Sequence, residues 1–232
     1  MICGRAVFPP VRITARSWMR CAPLGLKAAY SKWSRKKTSW RNCCMSSLQT
    51  DDSQSAFYSG DSWLARVRYR KVVEADLREI EWEGSYKIYR QVYADVYRRT
   101  ENGLALMWVA ELPEFGLVGQ AFVQLKMHDR SCANGSTRAY IHSFRVRPAM
   151  RGRGLGTALM DVVEQDLIQR GFREVTLNVA EDNQSALRLY QRLGYSVAKK
   201  ISGKWSFYDD QGKLQHVEEP GFRLVKSLSG VK

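Results

Sequence analysis

Residues 146–156 read VRPAMRGRGLG, and the rest of the chain is best understood from this stretch. An apolar, β-branched run precedes it, and apolar residues at helical spacing follow it from Leu155 to Leu167. The glycines and arginines therefore lie where a strand becomes a helix. The first N–H groups of a helix have no backbone acceptor, and glycine lets an oxygen atom approach the backbone closely. The pattern predicts a phosphate-binding loop, to which Arg151 and Arg153 add full positive charges.

Three interpretations of the spacing in this loop can be compared. A P-loop requires G-x-x-x-x-G-K-[ST], and no such spacing occurs in the chain. A dinucleotide fingerprint requires G-x-G-x-x-G, but counting from Gly152 and Gly154 places Thr157 at the third glycine. The spacing that fits is Arg-x-x-Gly-x-Gly, at Arg151, Gly154 and Gly156. On its own, this short motif is equally typical of a basic turn that contains glycines.

The sequence after this loop predicts further strands, helices and motif residues in a specific order. Residues 174–180 alternate as a strand, and apolar residues then recur at helical spacing until Gly194. The elements in order are a strand, the R-x-x-G-x-G loop, a helix, a strand, Asn183, a short helix with Ala186 and Leu189-Tyr190, and Leu193-Gly194-Tyr195. This order resembles the GNAT acetyltransferase superfamily over residues 64–228, most specifically over residues 144–195.

The patterns along the body of the chain predict an α/β (α+β) fold. The resemblance implies the GNAT fold, a mixed and mostly antiparallel sheet of about seven strands flanked by helices. A helix over residues 85–99 is expected to carry a stripe of tyrosines that belongs to the core, although Trp82, Tyr86 and Tyr89 could instead form an acceptor-binding wall. Simple alternation along residues 139–147 places His142, Phe144 and Val146 on one face, with Ser143 and Arg145 on the other.

The resemblance implies an N-acetyltransferase that uses acetyl-CoA and an amine acceptor, which could be a small molecule or a protein. A catalytically weak acyl-CoA-binding module is the alternative. Tyr190 matches the position where the family often has a general acid. The residues expected to bind the co-substrate are Phe144, Val146, Arg151, Gly152, Arg153, Gly154, Gly156 and Asn183. Asn183 could also cap the following helix.

The sequence does not identify the general base. Relatives that acetylate protein N-termini have a glutamate at the position of Asn178, and an amide cannot accept the proton. His142, Glu111, Glu181 and a relay of ordered water are the remaining alternatives. The scattered histidines and the absence of a C-x-x-C pair predict no metal site.

The basic charge of this chain is concentrated at its N-terminus. The formal net charge is +14, but residues 1–50 hold ten of the 37 basic residues and no acid, so 27 basic and 23 acidic residues leave +4 on the remainder. Four of the five cysteines also lie there. We expect residues 1–62 to be a disordered leader and linker, and residues 63–232 to form one GNAT domain. Residues 1–44 are either an organellar transit peptide or a miscalled start preceding Met45.

The same charge distribution bears on partners and location. Because the excess charge belongs to the leader, neither a nucleic-acid partner nor a membrane partner is expected. A monomer or a homodimer is compatible with the sequence. The expected location is the cytoplasm, or the plastid or mitochondrial matrix if the leader is a transit peptide. The acceptor is not identified by the sequence.

Overall fold

The computed structural model describes residues 62–228, so the predictions for the leader lie outside the described residues. The α-helices are α1 (Ser62–Ala65), α2 (Asp76–Glu79), α3 (Arg90–Glu101), α4 (Leu155–Gln169) and α5 (Gln184–Arg192). Two 3₁₀ turns cover Lys87–Tyr89 and Pro148–Met150. The strands are β1 (Arg68–Lys71), β2 (Ala105–Leu112), β3 (Gly116–Gln124), β4 (Arg138–Val146), β5 (Glu174–Ala180), β6 (Ser196–Ile201), β7 (Lys204–Tyr208), β8 (Leu214–Glu218) and β9 (Gly221–Ser227).

Seven strands form one sheet in the order β1-β2-β3-β4-β5-β9-β6. Neighbouring strands are antiparallel except β4 and β5, which run parallel and are joined through α4. The predicted mixed, mostly antiparallel sheet of about seven strands is therefore confirmed. Strands β7 and β8 form a separate two-stranded ribbon outside the main sheet.

Helices cover both faces of the sheet. On one face α3 contacts β2 and buries its apolar side in a cluster with β3 and β4. On the other face α4 contacts β2, β3 and β4, because its apolar spacing gives it one continuous buried side. No helix within residues 62–228 combines the length and the apolar character needed to span a membrane.

The tyrosine stripe belongs to the first of these faces. The predicted helix over residues 85–99 begins later than expected, because Trp82, Glu83 and Gly84 have positive φ angles and a 3₁₀ turn follows them. Tyr93 is 1% exposed and lies in the core, whereas Tyr86 and Tyr89 are half-buried at its margin. The stripe is thus core at its centre and a rim at its beginning.

Candidate functional site

A gap opens in the middle of the main sheet. The ladder between β4 and β5 pairs Arg138–Ile141 with Glu174–Leu177 and ends there, although β4 continues to Val146 and β5 to Ala180. Within the described chain, the second half of β4 therefore has no strand partner on the side of β5. Unpaired strand edges bind extended chains by adding backbone hydrogen bonds. The gap can accommodate a linear ligand laid along β4.

A β-bulge lies in β4 where the gap begins. Phe122 pairs with His142 and Gln120 pairs with Arg145, so two residues of β4 oppose one residue of β3. Ser143 has a φ of 49°, a left-handed conformation that few residues other than glycine adopt. At the bulge, the regular direction of the backbone N–H and C=O groups of β4 is interrupted.

The bulge corrects the alternation predicted for this strand. Since Gln120 and Phe122 share one face of β3, their partners Arg145 and His142 share the same face of β4. Phe144 and Val146 lie on the opposite face, where a Cβ added to Gly156 would meet both side chains. The prediction that His142 shares a face with Phe144 is therefore wrong, because an inserted residue shifts the two-residue period by one.

The predicted phosphate loop leads from the end of β4 into α4. Gly154 is the N-cap with a φ of 87°, no side chain caps the helix, and the backbone bond from Ala158 N to Gly154 O is 3.0 Å. The N–H groups of residues 155–157 precede this bond, so they have no acceptor in the first turn. A Cβ on Gly156 would lie 3.2 Å from Cζ of Phe144, so glycine keeps this approach open.

The two loop arginines have different contacts. Arg151 donates from Nε to the carbonyl oxygen of Val146 at 2.9 Å, which ties the loop to the end of β4. Arg153 is exposed. None of the salt bridges among the described residues includes either arginine. Two uncompensated positive charges therefore flank a helix N-terminus, which favours a polyanionic group such as a pyrophosphate.

Tyr190 lies beside this loop and the bulge. It is 7% exposed, and its ring centroid lies 6.1 Å from that of Phe144 and 5.7 Å from that of Tyr195. Burial raises the pKa of Tyr190 above its ordinary value of 10. The hydroxyl of Tyr195 donates to Glu164 at 2.8 Å, but none of the hydrogen bonds among the described residues involves the Tyr190 hydroxyl. Tyr190 thus holds a protonated hydroxyl close to the gap.

Asn183 has a structural function that the sequence anticipated. It is the N-cap of α5, and its side-chain oxygen accepts a hydrogen bond from the Ala186 backbone N–H at 3.2 Å. The cap fixes the start of the helix that carries Tyr190. Asn183 therefore positions α5 just beyond the end of β5.

Each candidate base either forms a hydrogen bond or ion pair with another side chain or is a weak base. Asn178 accepts a hydrogen bond from Nε of Arg223 at 3.2 Å. Glu111 is paired with Arg70 at 2.8 Å, and Glu181 with Lys200 at 2.9 Å. Burial, with a smaller effect from the Arg145 and Arg99 charges, lowers the pKa of His142 to about 3. His142 is therefore neutral at physiological pH and a poor proton acceptor.

Sequence reasoning missed Arg145 as a residue of this region. Its side chain is buried on the face of the sheet that α3 covers, and its guanidinium lies 3.8 Å from the Tyr86 ring centroid. One Nη donates to the Tyr93 hydroxyl. The sequence shows only that Arg145 is a charged residue between the apolar Phe144 and Val146.

No group of three or more His, Cys, Asp or Glu side chains suited to a metal ion occurs in the part of the chain that the structure describes.

Comparison with known proteins gives one consistent result. The sequence model of the acetyltransferase (GNAT) family matches residues 74–195. The fold is similar to that of Ard1 from Thermoplasma volcanium, with 18% identity over 71% of this chain and 99% of the other, at a TM-score of 0.53. It is also similar to a mutant of spermidine N-acetyltransferase SpeG from Vibrio cholerae, with 15% identity over 71% and 95% of the two chains and a TM-score of 0.54. A third similar structure is Arabidopsis thaliana NAA60 in complex with acetyl-CoA, with 22% identity over 71% and 99% of the two chains and a TM-score of 0.50.

Proposed function

Because the chain belongs to the acetyltransferase (GNAT) family, we propose that it transfers the acetyl group of acetyl-CoA to a primary amine by direct attack of the amine on the thioester. The observation that supports this most is the gap between β4 and β5. The gap has an unpaired strand edge along its length, a cationic helix N-terminus at one end and Tyr190 at its side. An acyl carrier with a linear arm and a pyrophosphate matches each of these features.

The residues that would hold the co-substrate follow from this geometry. The N–H groups of residues 155–157, with Arg151 and Arg153, would bind the pyrophosphate. The backbone of Phe144 and Val146 would pair with the linear arm as an added strand. Gly152, Gly154 and Gly156 keep the loop open to the phosphate oxygens. A backbone N–H at the bulge would polarise the thioester carbonyl and stabilise the developing oxyanion.

Tyr190 would act on the leaving group. As the new C–N bond forms and the C–S bond breaks, the sulfur leaves as a thiolate and takes the proton of the Tyr190 hydroxyl. Since burial raises the pKa of Tyr190, the hydroxyl is protonated over the whole neutral range. A phenol is a weaker acid than a thiol, so the transfer depends on close placement of the hydroxyl beside the sulfur.

The amine must lose its own proton, and we propose that ordered water relays it to solvent. The side chain of Asn178 is an amide and cannot accept the proton as a carboxylate would, and the low pKa of His142 makes its imidazole a weak base.

The amide at Asn178 and the low pKa of His142 also favour a second candidate function, a catalytically weak acyl-CoA-binding module. Such a module would use the loop and the gap without transferring the acyl group.

The decisive experiment is thiol release from acetyl-CoA by the full chain, with a panel of peptides, polyamines and small amines. Mass spectrometry of the acetylated acceptor excludes thiol signals from the five cysteines of the chain. Release together with acetylated product establishes the transfer. Binding of acetyl-CoA without product from any acceptor would favour the binding module instead.

We propose that the protein acts as a monomer or a homodimer, without nucleic acid, membrane or metal as a partner, and in the cytoplasm or in an organellar matrix. Sedimentation velocity tests the oligomeric state. Fluorescent fusions with and without residues 1–44 test the location.

A further inference from the structure

Arg145 is a buried cation that forms no ion pair with any residue the structure describes. It is 5% exposed, and its Nε has no hydrogen-bond partner among the described residues. No salt bridge formed by residues 62–228 includes it. Buried charges in proteins are normally paired, because removing a charge from water is costly. The missing carboxylate therefore needs an explanation.

The side chains that contact Arg145 are neutral. The Tyr86 ring stacks on its guanidinium at 3.8 Å, and the Tyr89 and Tyr93 centroids lie at 5.5 Å and 5.8 Å. Burial raises the pKa of Tyr93 and raises that of Tyr89 to about 12, so neither phenol is ionised near pH 7. Gln120, its cross-strand partner, has a buried Oε1 that also lacks a hydrogen-bond partner. These neighbours orient the guanidinium without neutralising it.

The position of Arg145 links it to the reaction. It follows Phe144 directly, and successive strand residues are about 3.3 Å apart. Its side chain lies on the opposite face of β4 from the phosphate loop and from Tyr190, the face where the half-buried rings of Tyr86 and Tyr89 form the rim. An acceptor that approached the bulge from this face would therefore come close to the guanidinium.

We propose that Arg145 binds an anionic group of the acceptor, so that the preferred substrates are primary amines that carry a carboxylate a few bonds from the nitrogen. This inference rests on the proposed acetyl transfer and names its substrate class. A guanidinium binds a carboxylate with two parallel hydrogen bonds, and Nε of Arg145 is a buried donor with no acceptor among the described residues. The carboxylate could belong to a free amino acid or to an acidic residue at a peptide N-terminus.

The same charge disfavours acceptors with a second ammonium group. A polyamine would place its distal cation beside Arg145, which is unfavourable in a site of low dielectric. The carboxylate of Glu219 contributes to the raised pKa of Tyr89, so an acidic group also lies near the Tyr89 ring. A preference for diamines would indicate that Glu219, and not Arg145, governs selectivity.

The test compares acceptors of equal length and different charge. We would measure kcat/KM of the full chain for 4-aminobutyrate, 1,4-diaminobutane and n-butylamine, and for two peptides that differ only in an Asp or a Lys at the first position. We expect the wild type to prefer the carboxylate over the diamine at least tenfold. The small acid and the acidic peptide distinguish the two sources of the carboxylate.

Arg145 variants separate recognition from folding. Arg145→Gln should lower kcat/KM for the anionic acceptor at least tenfold more than for n-butylamine, Arg145→Lys should recover part of the loss, and Arg145→Glu should reverse the preference. Tyr93→Phe, which removes one contact of the guanidinium, should give a smaller change in the same direction. Affinity for coenzyme A reports whether each variant is folded.

Two results would overturn the inference while leaving the acetyl transfer intact. One is a wild type that acetylates amines without preferring the carboxylate, and the other is an Arg145→Gln variant that loses activity equally with anionic and neutral acceptors. Failure of the proposed function itself looks different, because no acceptor of any charge would then release thiol.

Discussion

Replacing Tyr190 with phenylalanine should slow acetyl transfer without weakening co-substrate binding. The substitution removes only the hydroxyl, and that hydroxyl is the proposed proton donor to the thiolate. General acids contribute about 10²- to 10⁴-fold to a reaction rate. Since a thiolate can also leave unprotonated, we place the expected fall in kcat at the lower end, at least about tenfold.

The structure also predicts the stability of this variant. None of the hydrogen bonds among the described residues involves the Tyr190 hydroxyl, so Tyr190→Phe should change the free energy of unfolding by less than about 0.5 kcal/mol. Tyr195→Phe is the matched control, because its ring is adjacent to Tyr190 but its hydroxyl donates to buried Glu164 at 2.8 Å. Removing that bond should cost about 1 to 3 kcal/mol and leave kcat unchanged.

Two assays separate these expectations. Thiol release under saturating acetyl-CoA and a productive acceptor gives kcat, and urea denaturation gives the free energy of unfolding. Tyr190→Phe should lose rate and keep stability, whereas Tyr195→Phe should do the opposite. An unchanged kcat in Tyr190→Phe would remove this residue from the mechanism, and equal rate losses in both variants would mean that the tyrosine pair acts only through packing.

Further predictions concern the loop and the buried histidine. Gly156→Ala places a Cβ 3.2 Å from Cζ of Phe144 beside the phosphate site, so calorimetry should show at least about tenfold weaker binding of coenzyme A. Gly171→Ala, at a φ of 85° in a turn after α4, should lower stability by about 1 kcal/mol and leave that affinity unchanged. The folded-state pKa of His142, about 3, lies below its ordinary value of 6.5, so the unfolded chain binds the proton first and stability is lost as pH falls below 6.5. Between pH 7 and pH 5 the wild type should therefore lose about 2 kcal/mol more than His142→Gln in urea denaturation, and equal losses would show that His142 is not buried in the neutral form.

Local sequence patterns predicted much of the candidate site. The strand, the glycine-rich loop and the helix from Leu155 are contiguous, so their spacing alone predicts where a helix N-terminus faces a ligand. The cap by Asn183 and the helix with Tyr190 follow from the same short-range rules. The presence of strands was predictable for a related reason, because alternation and turn signals mark each strand separately. The mixed, mostly antiparallel arrangement followed from the family resemblance.

The tertiary structure decided the features that depend on pairing between distant segments. The bulge at Ser143 exists only in the register of β4 against β3, and it reverses the faces of His142 and Phe144. The gap arises because the ladder between β4 and β5 stops after four pairs. Asn178 meets Arg223 from 45 positions away, and Arg145 meets Tyr93 from 52.

The difference between features that the sequence predicted and features that it did not has a physical reason. A helix start or a turn is governed by residues within a few positions of each other, so its chemistry can be read from the sequence. Register and face depend on which strands pair, and a shift of one residue moves every later side chain to the other side of the sheet. Short-range patterns therefore predicted the family resemblance, the glycine-rich loop at the start of α4 and the place of Tyr190 on α5. Only the folded sheet placed Arg145 in a buried position on the opposite face from the glycine-rich loop, where it has no ion-pair partner among the described residues.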